Sequence, residues 1–260
     1  MPRGRKPSTK TTSGTEGEKP AKLFPVDKKQ MDINKTIESI QVRVVCKNEN
    51  QKKVINAIKD NQITIISGLP GTGKTFLACA EALKLLKSGE YKKIILVKSI
   101  TELFGEGLGT LPGQVGDRLE PFMNSFVDNF EKLIGEDLTK RLFDLGIIKV
   151  LPLAYARGRS LDESLIVGDE IQNISINNMH TLLTRIGNNS KMILLGDKKQ
   201  KDIKNRRESS LEIITEMFKD EEDFGYVELN NPDDIVRNKI IQRIEAKFDD
   251  FEEKRYRKPE

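Results

Sequence analysis

Gly68-Leu69-Pro70-Gly71-Thr72-Gly73-Lys74-Thr75 stands between a short apolar run, Ile63-Thr64-Ile65-Ile66, and a long stretch of helical periodicity over 76–87. The motif G-x-x-x-x-G-K-[ST] is satisfied at every fixed position. It also lies where its mechanism needs it, directly after a strand and opening a helix. Glycines let backbone N–H groups converge on phosphate oxygens, and the helix N-terminus adds a favourable dipole. Lys74 is expected to reach the β- and γ-phosphates of a bound ATP, and the Thr75 hydroxyl to ligate Mg²⁺.

The surrounding pattern agrees. Apolar runs at 40–45, 63–66, 94–97, 147–151, 165–167, 192–195 and 226–229 read as strands. Helical patterns cover 51–59, 76–87, 121–133, 137–145, 177–186 and 209–218. Near-continuous apolar strands alternating with helices predict an α/β fold, a parallel sheet covered by helices on both faces. Phe122, Phe126 and Phe130 recur every fourth residue beside Met123 and Val127, the spacing of a core stripe rather than of a base-stacking surface.

Two further strand ends bring polar groups to the edge that carries the phosphate loop. The run ending at Gly168 leads into Asp169-Glu170. There Asp169 would hold Mg²⁺ and Glu170 would orient and deprotonate an attacking water. The run at 192–195 leads to Gln200, a candidate γ-phosphate sensor, and the run at 226–229 precedes Arg237, a candidate arginine finger.

Charge and composition set the boundaries. Residues 1–30 carry eight of the 44 basic and three of the 40 acidic residues, and few large apolar ones. They read as a disordered basic tail, either solubilising or an arm for nucleic acid. Residues 31–245 then form one nearly neutral domain, and 246–260 a charged C-terminal tail. A single histidine, His180, excludes clustered-histidine zinc sites and leaves little basis for a Ser-His-Asp triad. Cys46 and Cys79 lack metal-ligand spacing, which points to a reducing, cytoplasmic setting. No apolar run approaches the roughly 18 residues of a membrane span.

Several motifs in order resemble the PhoH family of helicase-like ATPases over about 48–244. They are the phosphate loop 68–75, Leu111-Pro112-Gly113, the block 153–161, Asp169-Glu170-Ile171-Gln172-Asn173, Gly196-Asp197 with Gln200 and Asp202, and Asp234-Ile235-Val236-Arg237. The resemblance implies a RecA-like P-loop NTPase core related to one motor domain of superfamily 1 helicases, and a place in RNA metabolism. It further implies that Gln51 reads adenine and that Gln172 and Gln200 couple γ-phosphate state to neighbouring loops. Arg157 and Arg159 become candidates for contact with RNA or single-stranded nucleic acid. Gly168 departs from the family, which has an apolar residue there.

The expected function is therefore a Mg²⁺-dependent ATPase acting on or stimulated by RNA, with helicase action as its strongest form. A slow-turnover, ATP-gated RNA- or protein-binding adaptor is the alternative. A small-molecule kinase shares the loop, but the Asp-Glu-x-Gln element ending in Gln172 argues against it. Because the chain holds one motor core, a homo-oligomer is expected, a hexameric ring being one form, with Arg237 serving a neighbour's nucleotide.

Overall fold

Six parallel strands form one sheet in the computed structural model, which describes residues 28–98, 115–198 and 210–256. The strands are β1 (Ile63–Gly68), β2 (Lys93–Lys98), β3 (Ile148–Val150), β4 (Ser164–Asp169), β5 (Lys191–Gly196) and β6 (Phe224–Leu229). Their order across the sheet is β3-β2-β4-β5-β1-β6. The helices are α1 (Lys28–Glu38), α2 (Glu49–Asp60), α3 (Lys74–Ser88), α4 (Val115–Ile134), α5 (Glu136–Asp144), α6 (Ile176–Leu183), α7 (Ser210–Met217) and α8 (Lys239–Tyr256). Residues 1–27 of the basic tail, Leu111-Pro112-Gly113, Gln200 and Asp202 lie outside the described residues, as does the Phe122 side chain.

Side chains alternate across the pleat, and both faces are dry. Ile66, Ile94, Leu96, Leu165, Val167, Ile193 and Leu195 point into a cluster with α2, α3, α4 and α5, including Phe126 and Phe130. Ile65, Ile95, Val97, Ile166, Met192 and Leu194 point the other way, against Met179 and Leu182 of α6 and Leu211 and Ile214 of α7. Each such side chain contributes about 1.5–3 kcal/mol on burial, so two filled faces hold the sheet. That double burial is why the strands read as continuous apolar runs. His180 sits exposed on α6.

Because every pairing is parallel, all strands end at the same edge. The loop strand β1 and the acidic strand β4 are separated by one strand, β5. This arrangement is a parallel α/β sheet with the loop strand and the acidic strand one strand apart. It brings the phosphate loop, Asp169, Asp197 and the segment after β6 to one edge, where α/β sheets bind ligands.

One element differs from expectation. Residues 40–45 form no strand: Ile40 is buried and Val42 and Val44 pack on the first cluster, while Val45 is exposed. The alternation is real, but it reports one-sided burial and not strand pairing. The charged segment at 246–260 continues α8 as far as Tyr256, and α8 presents Ile240, Ile244, Phe248 and Phe251 to solvent. At its far end α2 is closed by buried Lys191, whose Nζ donates to the carbonyls of Ile58 (2.6 Å) and Lys59 (3.0 Å). A cation there complements the helix dipole.

Candidate active site

The phosphate loop is set by close backbone approach. A Cβ on Gly68 would lie 2.6 Å from Leu229 Cβ and 2.7 Å from Leu229 O, so β1 and β6 meet there only through glycine. Leu69 N–H donates to the same carbonyl at 3.0 Å. Gly73 caps α3 at φ 88°, a left-handed conformation that L side chains avoid. Thr72 Oγ1 donates to Leu69 O at 2.9 Å, tightening the turn. The Lys74 ammonium folds inside it, donating to Gly68 O at 2.5 Å and Leu69 O at 3.0 Å. Burial lowers the Lys74 pKa, against the upward pull of Asp197, Asp169 and Glu170.

Facing it, Asp169 ends β4 at 7% exposure. Its Oδ2 lies 3.5 Å from Thr75 Oγ1, and its Oδ1 accepts from Glu170 N–H at 3.0 Å. Burial, reinforced by the Glu170 charge, raises the Asp169 pKa to about 6, with Lys98 and Lys74 opposing the rise. Glu170 holds φ 56° without being glycine, a conformation costing on the order of 1–2 kcal/mol. Its Oε2 accepts from Gln172 Nε2 at 2.6 Å, while Gln172 Oε1 accepts from Asp197 N–H at 3.0 Å. Wholly buried Gln172 therefore spans the ends of β4 and β5.

Gly168 has a local explanation, since a Cβ there would lie 3.0 Å from Leu194 Cδ2 on the neighbouring strand. Among the described residues no group of three or more His, Cys, Asp or Glu could hold a metal. One hydroxyl and one carboxylate at 3.5 Å nonetheless fit Mg²⁺, which takes one or two protein ligands and fills its octahedron with phosphates and water.

Arg237 arrives from the other side. After β6 a single turn over Pro232–Asp234 is held by an Asn231–Asp234 capping box. Buried Asp234 accepts from Asn50 Nδ2 (3.0 Å) and Asn48 Nδ2 (3.2 Å), fastening this turn to the start of α2. Val236 and Arg237 then donate their N–H groups to Gly71 O at 3.0 and 3.2 Å. The exposed Arg237 side chain thus stands at the mouth of its own chain's phosphate loop. Arg237 comes this close to the loop because β6 is the strand beside β1.

Gln51, expected to read adenine, spends its amide on its own chain. Nε2 donates to Thr72 O at 3.0 Å and Oε1 accepts from Lys47 N–H at 2.8 Å, with the side chain 4% exposed. Arg157 and Arg159 are exposed and do not line the cavity. They flank Gly158 on a turn anchored by buried Ala156, beside Tyr155, which is 57% exposed. Arg185 Nη1 supports that turn through Arg159 O at 3.4 Å.

One cavity of about 670 Å³ joins these parts, a size suited to a nucleotide. Its lining includes Gln51, Lys74, Asp169, Glu170, Asp197 and Arg237. Sequence reasoning missed Lys98 and the polar wall supplied by α4. Lys98 ends β2 opposite Asp169 in the sheet register.

Residues 43–249 match the family described as PhoH-like protein. The PhoH-like protein of Bacillus subtilis is 38% identical over 218 residues, covering 84% of this chain and 67% of that protein. That of Mycobacterium tuberculosis strain H37Rv is 35% identical over 240 residues, 92% of this chain and 65% of the relative. Protein PhoH of Escherichia coli K12 is 29% identical over 202 residues, 77% and 56%. The chain spans about two thirds of the length of the first two of these relatives and 56% of the third. Among solved structures, the large terminase of a thermophilic bacteriophage aligns with 76% of this chain and 49% of that one at TM-score 0.46 and 9% identity. The Pif1 helicase of Candida albicans aligns with 78% and 43% at TM-score 0.39 and 18% identity.

Proposed function

This chain belongs to the PhoH-like protein family, and from that membership we propose that it is a Mg²⁺-dependent ATPase acting on or stimulated by RNA. The observation that carries the reading is the meeting of Lys74, Thr75, Asp169 and Glu170 around one cavity at one sheet edge, with buried Gln172 bonded to Glu170 behind it. The loop amides would cradle the β-phosphate, and the Lys74 ammonium would exchange its two carbonyl partners for phosphate oxygens. Thr75 and Asp169 would hold Mg²⁺, which supplies charge neutralisation on the phosphates when bound. Glu170 accepts the proton of the attacking water, and Arg237 supplies positive charge at the γ-phosphate of its own chain's nucleotide.

Gln172 ties the Glu170 carboxylate to the start of the segment leading to Gln200, so a change at one is felt at the other. That same clasp favours a second reading, an adaptor whose turnover stays slow while Gln172 holds Glu170. For RNA, the turn carrying Arg157 and Arg159 offers phosphate contacts, and Tyr155 a ring on which a base can stack. Assembly of copies through the exposed row on α8 is compatible with this account, and turnover does not require it.

Phosphate release from Mg-ATP, measured with and without single-stranded RNA, tests the proposal. Wild-type protein should release phosphate and speed up with RNA, and Lys74→Ala should do neither. Release equal to that of Lys74→Ala in both conditions would remove the enzyme reading. ATP binding with slow release unmoved by RNA would select the adaptor.

A further inference from the structure

The cavity extends past the catalytic groups. Its far wall is the polar face of α4, where Ser125, Asp128, Asn129 and Lys132 recur at i, i+3, i+4 and i+7. The opposite face of the same helix carries Phe126 and Phe130 into the core, which fixes how α4 is turned. Val45, Phe76 and Val236 give the space between an apolar lining. If the phosphates occupy the loop and the acidic pair attends to Mg²⁺ and water, this remaining space falls to the nucleoside. The inference rests on that reading of the site.

Most polar groups near this end are already engaged. Gln51 is bonded to Lys47 and Thr72, Asn129 Nδ2 donates to Ser125 O at 2.6 Å, and Lys47 Nζ reaches Val236 O at 3.5 Å. Asp128 is the carboxylate on this wall, and it has no hydrogen-bond or ion-pair partner among the described residues, not even Lys132 one turn on. A carboxylate only accepts, so it repels phosphate and suits a neutral group presenting two adjacent donors. A ribose 2′,3′-diol is such a group, and a carboxylate is the usual partner of ribose hydroxyls in dinucleotide sites of other folds.

We propose that Asp128 binds the ribose hydroxyls of the nucleotide and so makes the site select ribonucleotides over deoxyribonucleotides. The interaction is equal in ground and transition states, so its loss raises KM and leaves kcat.

The test compares ATP, 2′-deoxy-ATP and 3′-deoxy-ATP on wild-type protein, Asp128→Asn and Asp128→Ala. Turnover gives KM and kcat, and calorimetry with ADP and 2′-deoxy-ADP gives affinity without chemistry. Wild type should favour the ribonucleotide about tenfold or more, the scale of one charge-assisted hydrogen bond. Both variants should bind ADP correspondingly more weakly, lose less on 2′-deoxy-ADP, where only the 3′-hydroxyl remains to be held, and keep kcat. Asp128 is exposed, so unfolding temperature should not move. Wild-type indifference to the missing hydroxyls, or an unchanged ratio in both variants, would overturn the assignment. Failure of wild type to bind any of these nucleotides would instead overturn the ATPase reading beneath it.

Discussion

Asp169 is held in a state that works against the fold. Burial and the neighbouring Glu170 charge lift its pKa from 3.8 to about 6. Between those values the folded chain binds more protons than the unfolded one, so stability falls as pH rises. The contribution is whole below about pH 4 and is lost as pH passes through about 6. Asp169→Asn carries no such charge. In nucleotide-free protein it should therefore be more stable than wild type at pH 7.5, by about 1–3 kcal/mol, and nearly equal at pH 4. Denaturant unfolding at the two pH values checks this, and an equal gain at both would contradict it. The same variant should lose Mg²⁺-dependent phosphate release. Glu170 shows a parallel conflict, since its left-handed backbone serves the position of its carboxylate.

At the scale of elements, α2 is fastened to the phosphate loop at its start and closed by Lys191 at its end. Gln51 is the strut, joining Lys47 N–H to Thr72 C=O. Gln51→Ala leaves both groups without this partner, the Thr72 carbonyl in a buried place, at a cost of about 1–3 kcal/mol. It should weaken ATP and GTP binding alike, because the loop itself loosens. A loss confined to ATP, seen by calorimetry with the two nucleotides, would restore adenine reading to Gln51. The strands and most helices were legible in the sequence because a sheet buried on both faces writes continuous apolar runs. The phosphate loop and Asp169-Glu170 were legible because their chemistry demands fixed neighbours. The segment at 40–45 misled because period-two burial arises on any one-sided extended chain. Asp128 left no signal: a polar helix face reads the same whether it meets solvent or lines a cavity. Gln51 showed its residue type but not that its amide would be spent on the main chain.

For the whole molecule, strand order sets where Arg237 lies relative to its own chain's phosphate loop. Motifs along a sequence give the polar groups but not that β6 lies beside β1, and this adjacency brings Val236 and Arg237 onto Gly71 O. A phosphate loop and an arginine on one chain predict turnover per chain that does not change with protein concentration. Mixing Arg237→Ala with Lys74→Ala should restore nothing, because neither chain holds a whole site. Recovered phosphate release in the mixture would place the arginine in trans after all.

Single-turnover phosphate release by Glu170→Gln asks whether Glu170 is the base of an RNA-stimulated ATPase. With Mg-ATP and single-stranded RNA present, the variant should bind ATP as tightly as wild type. Its release should be slower by about 10²–10⁴-fold, the range for a lost general base. Phosphate release at the wild-type rate, with ATP binding intact, would contradict the account.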